Sequence, residues 1–246
     1  MALISIVTPV YNSSAYLHTV FSSVLNQSCS DWEWLLVDDC SDDDSWVIIT
    51  ELLMKDSRIK AFRNDENQGA GFSRNRAIKE ASGRFIAFLD ADDLWLPNKL
   101  EKQVSFMLEN DYALTYTAYQ KFNSQGDRGI VYPPESVSYN QLLYSNVIGC
   151  LTAMYDTKRL GKRFMPLIRK RQDMGLWLEI LKDIPKAYCL NEVLAKYRTD
   201  SGMTSNKLKV LGYQWKFYRE VVGLSLLRSS VVFVIYGIKG LLKSRI

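Results

Sequence analysis

The chain has 246 residues, of which 47% are hydrophobic and 24% charged, with a formal net charge of +4. That length can bury a sizeable core as one α/β domain, or one domain plus an extension, and the composition is that of a globular protein. The mild charge, without a sustained basic and aromatic pattern, excludes a nucleic-acid reader, while four scattered cysteines (Cys29, Cys40, Cys150, Cys189) exclude a disulfide scaffold and suit a reducing cytoplasm.

The amino terminus, Met1 to Pro9, lacks the basic leader and long apolar core of a signal peptide and reads as a first strand over Leu3 to Thr8. Further strands are predicted at Trp34 to Val37, Ile59 to Phe62 and Phe85 to Leu89. Between them, Tyr16 to Asn26, Ser45 to Lys55 and Phe72 to Ala81 carry apolar residues three and four apart, as amphipathic crossover helices do. This alternation predicts a parallel sheet covered by helices. A strand at Tyr112 to Thr117 follows, then a Gly- and Pro-containing excursion to Pro134, after which the alternation is lost. A helix is predicted at Asp173 to Leu181, two short strands at Ala187 to Leu190 and Val193 to Tyr197, and one long helix at Leu208 to Leu227. Ser229 to Ile238 is an apolar run of ten residues, about half the length a spanning helix requires.

Ligands of open α/β sheets bind beyond the carboxyl ends of the strands. Those ends carry Pro9, Tyr11 and Asn12, then Asp38 and Asp39, then Asp90, Asp92 and Asp93. Carboxylates clustered at a strand tip repel one another unless hydrogen bonds, cations or a metal compensate, so the last group suggests a hard divalent cation. The plainer reading is a solvated Asp-rich turn before a helix starting near Pro97. Asp173 opens its helix, where a carboxylate also serves as a simple cap. The run Lys158, Arg159, Lys162, Arg163, Arg169, Lys170 and Arg171 has no acidic partner between Asp156 and Asp173. It is either a solvated face or an attractor of phosphates and anionic headgroups.

Five motifs in order, Ile4 to Asn12, Leu36 to Asp39, Asn67-Gln-Gly69 with Ser73-Arg-Asn75, Phe88 to Asp93, and Gln172-Asp173 before Leu176-Trp177, resemble glycosyltransferase family 2 over roughly residues 3–205. The resemblance implies a GT-A fold: a central, mostly parallel sheet flanked by helices, with a C-terminal helical extension. It implies a catalytic domain at 1–205, split into a nucleotide-binding half at 1–110 and an acceptor half at 111–205, and an extension at 206–246. It also implies a nucleotide diphosphosugar donor, a divalent metal (Mn²⁺ or Mg²⁺) and transfer with inversion. Carried over by position, Pro9, Tyr11 and Asn12 frame the base and ribose, Asp39 with Asp38 accepts from the uracil imide, and Arg74 grips the diphosphate. Asp92 is the expected metal ligand, Asp90 lies beside the ribose or the metal, Asp93 supports the loop, and Asp173 is the expected catalytic base.

Where many relatives have a histidine two residues after the arginine, this chain has Asp200 after Arg198. Either Asp200 ligates the metal, or Arg198 and Ser205 hold phosphate; the lone histidine, His18, reads as a helix-surface residue. From Val221 to Ile246, apolar residues mix with Arg228, Lys239, Lys243 and Arg245 as in an interfacial helix, the alternative being a core-packing or dimer-forming helix. The whole resembles cytosolic transferases that extend a polyprenyl-diphosphate-linked glycan during bacterial surface polysaccharide synthesis, using a UDP-sugar at the inner face of the membrane. The competing classes are a nucleotidyltransferase, which normally needs a Gly- and basic-rich loop where this chain has Pro9 to Asn12, and a catalytically silent binding module, in which the base would be missing.

Overall fold

A computed structural model describes residues 2–201 and 207–243. Ser205 and Arg245 lie outside the described residues. The first half alternates β1 (Ile4–Val10), α1 (Ser14–Leu25), β2 (Trp32–Asp38), α2 (Ser45–Lys55), β3 (Ile59–Arg63), α3 (Ala70–Glu80) and β4 (Phe85–Phe88). Strands β1, β2 and β4 share the logic of two buried faces, while β3, at the sheet edge, buries only Ile59 fully. Val7, Leu35, Val37, Ile86 and Phe88 point into one apolar layer, while Ile6, Trp34, Leu36, Phe85 and Ala87 point into the other. Alternate residues of a strand face opposite sides, so a strand buried on both reads as an unbroken apolar run. Helices α1 and α2 close one layer with Leu17, Val20, Val24, Ile49 and Leu52, and α3 closes the other with Ala77 and Ile78.

The second half comprises β5 (Leu94–Trp95), α4 (Lys99–Glu109), β6 (Leu114–Asn123), β7 (Gly126–Val131), β8 (Ser136–Val137), α5 (Tyr139–Tyr144), a 3-10 turn (Cys150–Thr152), β9 (Met154–Asp156), α6 (Thr157–Leu160), α7 (Gln172–Ile180) and β10 (Ala187–Arg198). All strands form one sheet in the order β3-β2-β1-β4-β9-β6-β10-β5, with β7 on β6 and β8 on β10. The long pairings are parallel: β1 with β2 and β4, β2 with β3, and β6 with β10. Short antiparallel pairings of β9 with β4 and β6 join the two halves. The two strands expected after residue 187 are one strand. Asn191 and Glu192 are exposed at its middle, and its register against β6 shifts between Leu190 and Val193, so a bulge interrupts the pattern without ending the strand.

The long helix expected from Leu208 to Leu227 is broken. It runs as α8 (Lys207–Lys216), widens into a π turn over Phe217–Val221, and stops at Gly223, where φ is 71°. The Leu224 amide then returns to Tyr218 O at 3.0 Å, and α9 (Leu226–Lys243) begins anew. A left-handed residue is the common way to end a helix, and glycine takes it without a Cβ penalty. Phe217, Tyr218, Leu224 and Val232 enter the same apolar layer as α3, α5 and α7, so the C-terminal helices share the core of the domain they follow. Among the described residues no helix is long and apolar enough to cross a membrane.

Candidate active site

The parallel register of β1, β2 and β4 brings their carboxyl ends to one edge, where Tyr11, Asp39 and Asp90 follow. Tyr11 is 47% exposed there, with a ring face open for stacking. Asn12 takes a positive φ of 48°, donates its amide to Ser41 Oγ at 3.0 Å and accepts from the Asp42 amide at 3.1 Å. It therefore shapes the loop beside Pro9 and Tyr11.

The aspartate pair after β2 is buried and largely committed. Asp38 accepts from Ser41 Oγ at 2.5 Å and from Arg63 Nε at 3.1 Å. Asp39 Oδ1 receives Asn64 Nδ2 at 2.7 Å, the Gln68 amide at 3.1 Å and Ser73 Oγ at 3.1 Å; Oδ2 receives the Gly69 amide at 2.7 Å. An ionised carboxylate offers about four lone-pair sites, so the expected meeting with a base is narrowed to what remains on Oδ2. The main task visible for Asp39 is to tie the Asn64 to Gly69 loop and the start of α3 to the end of β2.

That tie aims Arg74, one residue beyond Ser73 on α3. Arg74 Nη2 donates to Asp90 Oδ1 at 2.5 Å and Nη1 to Gln172 Oε1 at 3.4 Å, bridging the aspartate cluster to the start of α7. The α3 and α7 backbones must approach closely for this; a Cβ on Gly71 would lie 3.1 Å from Gln172 Cγ. Burial works against the Arg74 charge, but Asp90, with Cys150 and Asp173, more than offsets it and raises the guanidinium above its usual value. Its buried Nε has no protein partner among the described residues.

Asp92 and Asp93 sit in the turn after β4. Asp92 accepts from the Ser201 hydroxyl, and buried Asp93 accepts from the Arg198 amide at 2.8 Å. Burial raises the Asp92 carboxyl, Ser201 opposes this and Asp90 adds to it, for a net rise. Burial and then the neighbouring Asp90 and Asp92 push Asp93 well up. Such mutual repulsion among hard oxygen donors fits a site completed by a divalent cation. Among the described residues no three His, Cys, Asp or Glu side chains form a cage, so a cation held here would draw ligands from phosphate and water as well.

Asp200 does not join that set. Its Oδ2 accepts from the Ser124 amide at 2.7 Å, capping the turn between β6 and β7, and its Oδ1 lies 3.7 Å from Arg198 Nη1. The oxygen this segment gives to Asp92 is that of Ser201. Arg198 is itself wedged between Tyr16 and Phe122, each 4.5 Å away, and donates Nε to Asp92 O at 3.0 Å. It braces the turn that carries Asp92. Phosphate binding through Ser205, the other expectation for this loop, falls outside the described residues.

Asp173 lies in the first turn of α7, which Arg171 enters in the left-handed region at φ 69°. Its Oδ2 accepts from Asn146 Nδ2 at 3.1 Å. Asn146, Cys150 and Ser201 are the site residues the sequence did not single out. They sit in irregular segments with no periodicity or spacing to mark them. The Cys150 thiol is raised well above its usual value, chiefly by burial, with Arg74 opposing and Asp90 and Asp173 adding, which keeps it an inert SH group. The arrangement brings together a guanidinium for an anion, paired carboxylates for a cation, and across the Arg74 to Gln172 bridge a separate carboxylate able to take a proton.

The sequence profile of the family described as Glycosyl transferase family 2 matches residues 5–163. The chain is 41% identical to the putative teichuronic acid biosynthesis glycosyltransferase TuaG of Bacillus subtilis, covering 99% of this chain and 98% of that one. It is 40% identical to the UDP-Glc:alpha-D-GlcNAc-diphosphoundecaprenol beta-1,3-glucosyltransferase WfgD of Escherichia coli, covering 96% and 94% respectively. Its fold is similar to that of S. aureus TarS in complex with UDP-GlcNAc, at TM-score 0.71 and 21% identity over 95% of this chain and 71% of that one.

Proposed function

Because the chain belongs to glycosyltransferase family 2 and is a glycosyltransferase, we propose that it transfers a hexosyl group, with inversion, from a UDP-sugar to a glycan carried on a polyprenyl diphosphate, in bacterial surface polysaccharide synthesis. The observation that carries the reading is the Arg74 bridge, which joins Asp90 on the metal side to Gln172 beside Asp173 on the acceptor side. The choice of UDP and of a lipid-linked acceptor follows the activity for which WfgD is named.

In this mechanism Tyr11 stacks on the base, Pro9 and Asn12 frame the ribose, and Asp38 and Asp39 hold the base-side loops in place. Arg74 meets the diphosphate through a guanidinium whose Nε has no partner among the described residues, a charge-assisted contact. Asp92 and Asp90 would hold Mn²⁺ or Mg²⁺, which when bound offsets negative charge on the diphosphate. Asp173 Oδ1 takes the proton of the acceptor hydroxyl as its oxygen forms the new bond to C1. The C1 bond to the diphosphate oxygen breaks on the opposite face, and its electron pair leaves with UDP. Asp93 and Arg198 brace the turn that carries Asp92. The cytosolic enzyme works at the inner face of the cytoplasmic membrane, touching it through α9, with the basic run at 158–171 near the carrier's diphosphate.

The test is UDP, GDP and TDP release from a panel of sugar nucleotides with Mn²⁺, with and without a short polyprenyl-diphosphate glycan. Acceptor-stimulated release is expected from one UDP-sugar, with a fall of about 10²-fold or more in both Asp92→Ala and Asp173→Asn, the scale of removing a general base or its electrostatic partner. Full activity in Asp173→Asn would overturn the assignment of the base. Activity only with a GDP- or TDP-sugar would overturn the donor.

A further inference from the structure

The side chain of Asn146 lies against Asp173, and no step above uses it. It lies in the irregular segment between α5 and the 3-10 turn. The Tyr218 hydroxyl fixes one end by donating to Leu143 O at 2.5 Å, and Thr152 Oγ1 fixes the other by donating to Gly149 O at 2.7 Å. Since the Asp173 carboxylate only accepts, the amide nitrogen must face it, and Asn146 Oδ1 is the free end. That oxygen is buried and has no hydrogen-bond partner among the described residues. A buried acceptor left unpaired is destabilising, so such groups in native structures call for a partner from outside the protein.

We propose that Asn146 Oδ1 is a subsite for the acceptor sugar, taking a hydrogen bond from the hydroxyl or amide N–H on the carbon next to the attacking hydroxyl. The inference rests on Asp173 being the base. Neighbouring substituents of a pyranose project from bonded carbons, so one donor can meet Asp173 while the next meets the amide carbonyl beside it. Two protein acceptors then face two sugar donors, and the hydroxyl that attacks is selected by which neighbour can reach Asn146. An acceptor without that neighbouring donor leaves Oδ1 unpaired, a form of rejection that is strong in buried polar sites.

The experiment uses N-acetylglucosaminyl diphosphate on a short polyprenyl chain, its single-deoxy analogues, and the full-length enzyme with Asn146→Ala and Asn146→Asp. In Asn146→Ala, acceptor-dependent kcat/KM is expected to fall about 20-fold, the scale of one buried hydrogen bond. The donor KM should stay within about threefold, while slow donor hydrolysis by water, which has no neighbouring hydroxyl, should lose only what the missing Asn146 bond to Asp173 costs and so fall clearly less than transfer does. One deoxy analogue should lose as much with the wild type and nothing further with Asn146→Ala, the non-additivity of a direct contact. Asn146→Asp retains an acceptor oxygen but places a second carboxylate at Asp173, so the acid limb of its kcat/KM profile should move up by about one pH unit or more. Equal losses in hydrolysis and transfer, or additive losses for every deoxy analogue, would overturn the proposal. If the wild type shows no acceptor-stimulated release, the functional reading fails separately, and the hydrolysis comparison still decides whether Asn146 acts on the donor side.

Discussion

Glu33 shows how a buried charge is sustained in this molecule. It is 4% exposed, yet it receives Ser5 Oγ at 2.6 Å, the Ser82 amide at 2.5 Å, Ser82 Oγ at 2.8 Å and Lys60 Nζ at 2.7 Å. Burial alone would raise its carboxyl; Lys60, Ser5 and Ser82 together outweigh it and bring the value from 4.5 down to about 2. A folded value below the unfolded one gives stability that is complete above about pH 4.5 and is lost as the pH falls towards 2. Because Lys60 is half exposed and screened, the contribution is set at about 2 kcal/mol. Urea unfolding of Glu33→Gln at pH 7 and pH 3 should therefore show a loss near neutrality that is roughly halved at pH 3; an equal loss at both would mean packing, not charge. Nothing in the order Trp32-Glu33-Trp34 announces this network, because its donors come from β1, β3 and the turn before β4. Asp90 and Asp92 were legible for the opposite reason: they stand together at a strand end, where the chain itself supplies the cluster. Asp200 shows the limit of a motif position, which does not say which way a side chain turns: its carboxylate accepts from the Ser124 amide.

Hydrophobic periodicity reported the elements of the first half well, since β1, β2 and β4 are buried on both faces and each helix on one. Ser45–Lys55 carries the bounds expected of it, and β1 to β4 differ from expectation only at their ends. It failed where backbone conformation, not burial, decides. The pattern from Leu208 to Leu227 stays helical across the break because Tyr218 and Leu224 remain apolar and buried on either side of Gly223. Two glycines of this region should consequently respond with opposite signs. A Cβ at Gly223 meets open space but must adopt φ 71°, so Gly223→Ala should destabilise by about 1 kcal/mol. Gly212, inside α8 and also open to solvent, should gain about 0.5–1 kcal/mol as Ala. Thermal melts would move apart by roughly 3–8 °C between the two variants, given about 2–4 °C per kcal/mol for a domain of this size. Shifts of the same sign would contradict the assignment of Gly223 as the stop.

At the scale of the whole molecule, α9 packs one side against the core and carries an exposed apolar stripe on the other. Ser229 and Val232 are buried against the core, Arg228 Nη2 reaches Asn140 of α5 at 3.0 Å, and the Tyr236 hydroxyl receives Arg171 Nη2 at 2.5 Å, two residues before Asp173. On the opposite side, Leu227, Val231, Val234 and Ile238, at intervals of four, three and four, are 79%, 50%, 58% and 53% exposed. A stripe at that spacing is one continuous face of a helix, and nothing among the described residues covers it. After Glu220 the chain has four basic residues and no acidic one. That charge favours an anionic lipid surface over a second copy of the same chain, whose cations would repel. Each cation near such a surface contributes about 1 kcal/mol. A membrane on the outer face would lie about 10 Å, one helix diameter, beyond Arg171, bringing a diphosphate at headgroup level close to the helix of the base. The proposal of membrane contact is checked by flotation with vesicles of phosphatidylcholine alone or with phosphatidylglycerol. The wild type should float with the anionic vesicles and release them at high salt. Leu227→Glu with Val234→Glu should abolish flotation while sparing UDP release with a water-soluble, short-chain acceptor, because neither side chain belongs to the candidate site. Failure of the wild type to float, together with a dimer in sedimentation that the double variant dissociates, would assign the stripe to a second copy and detach the acceptor argument from the membrane.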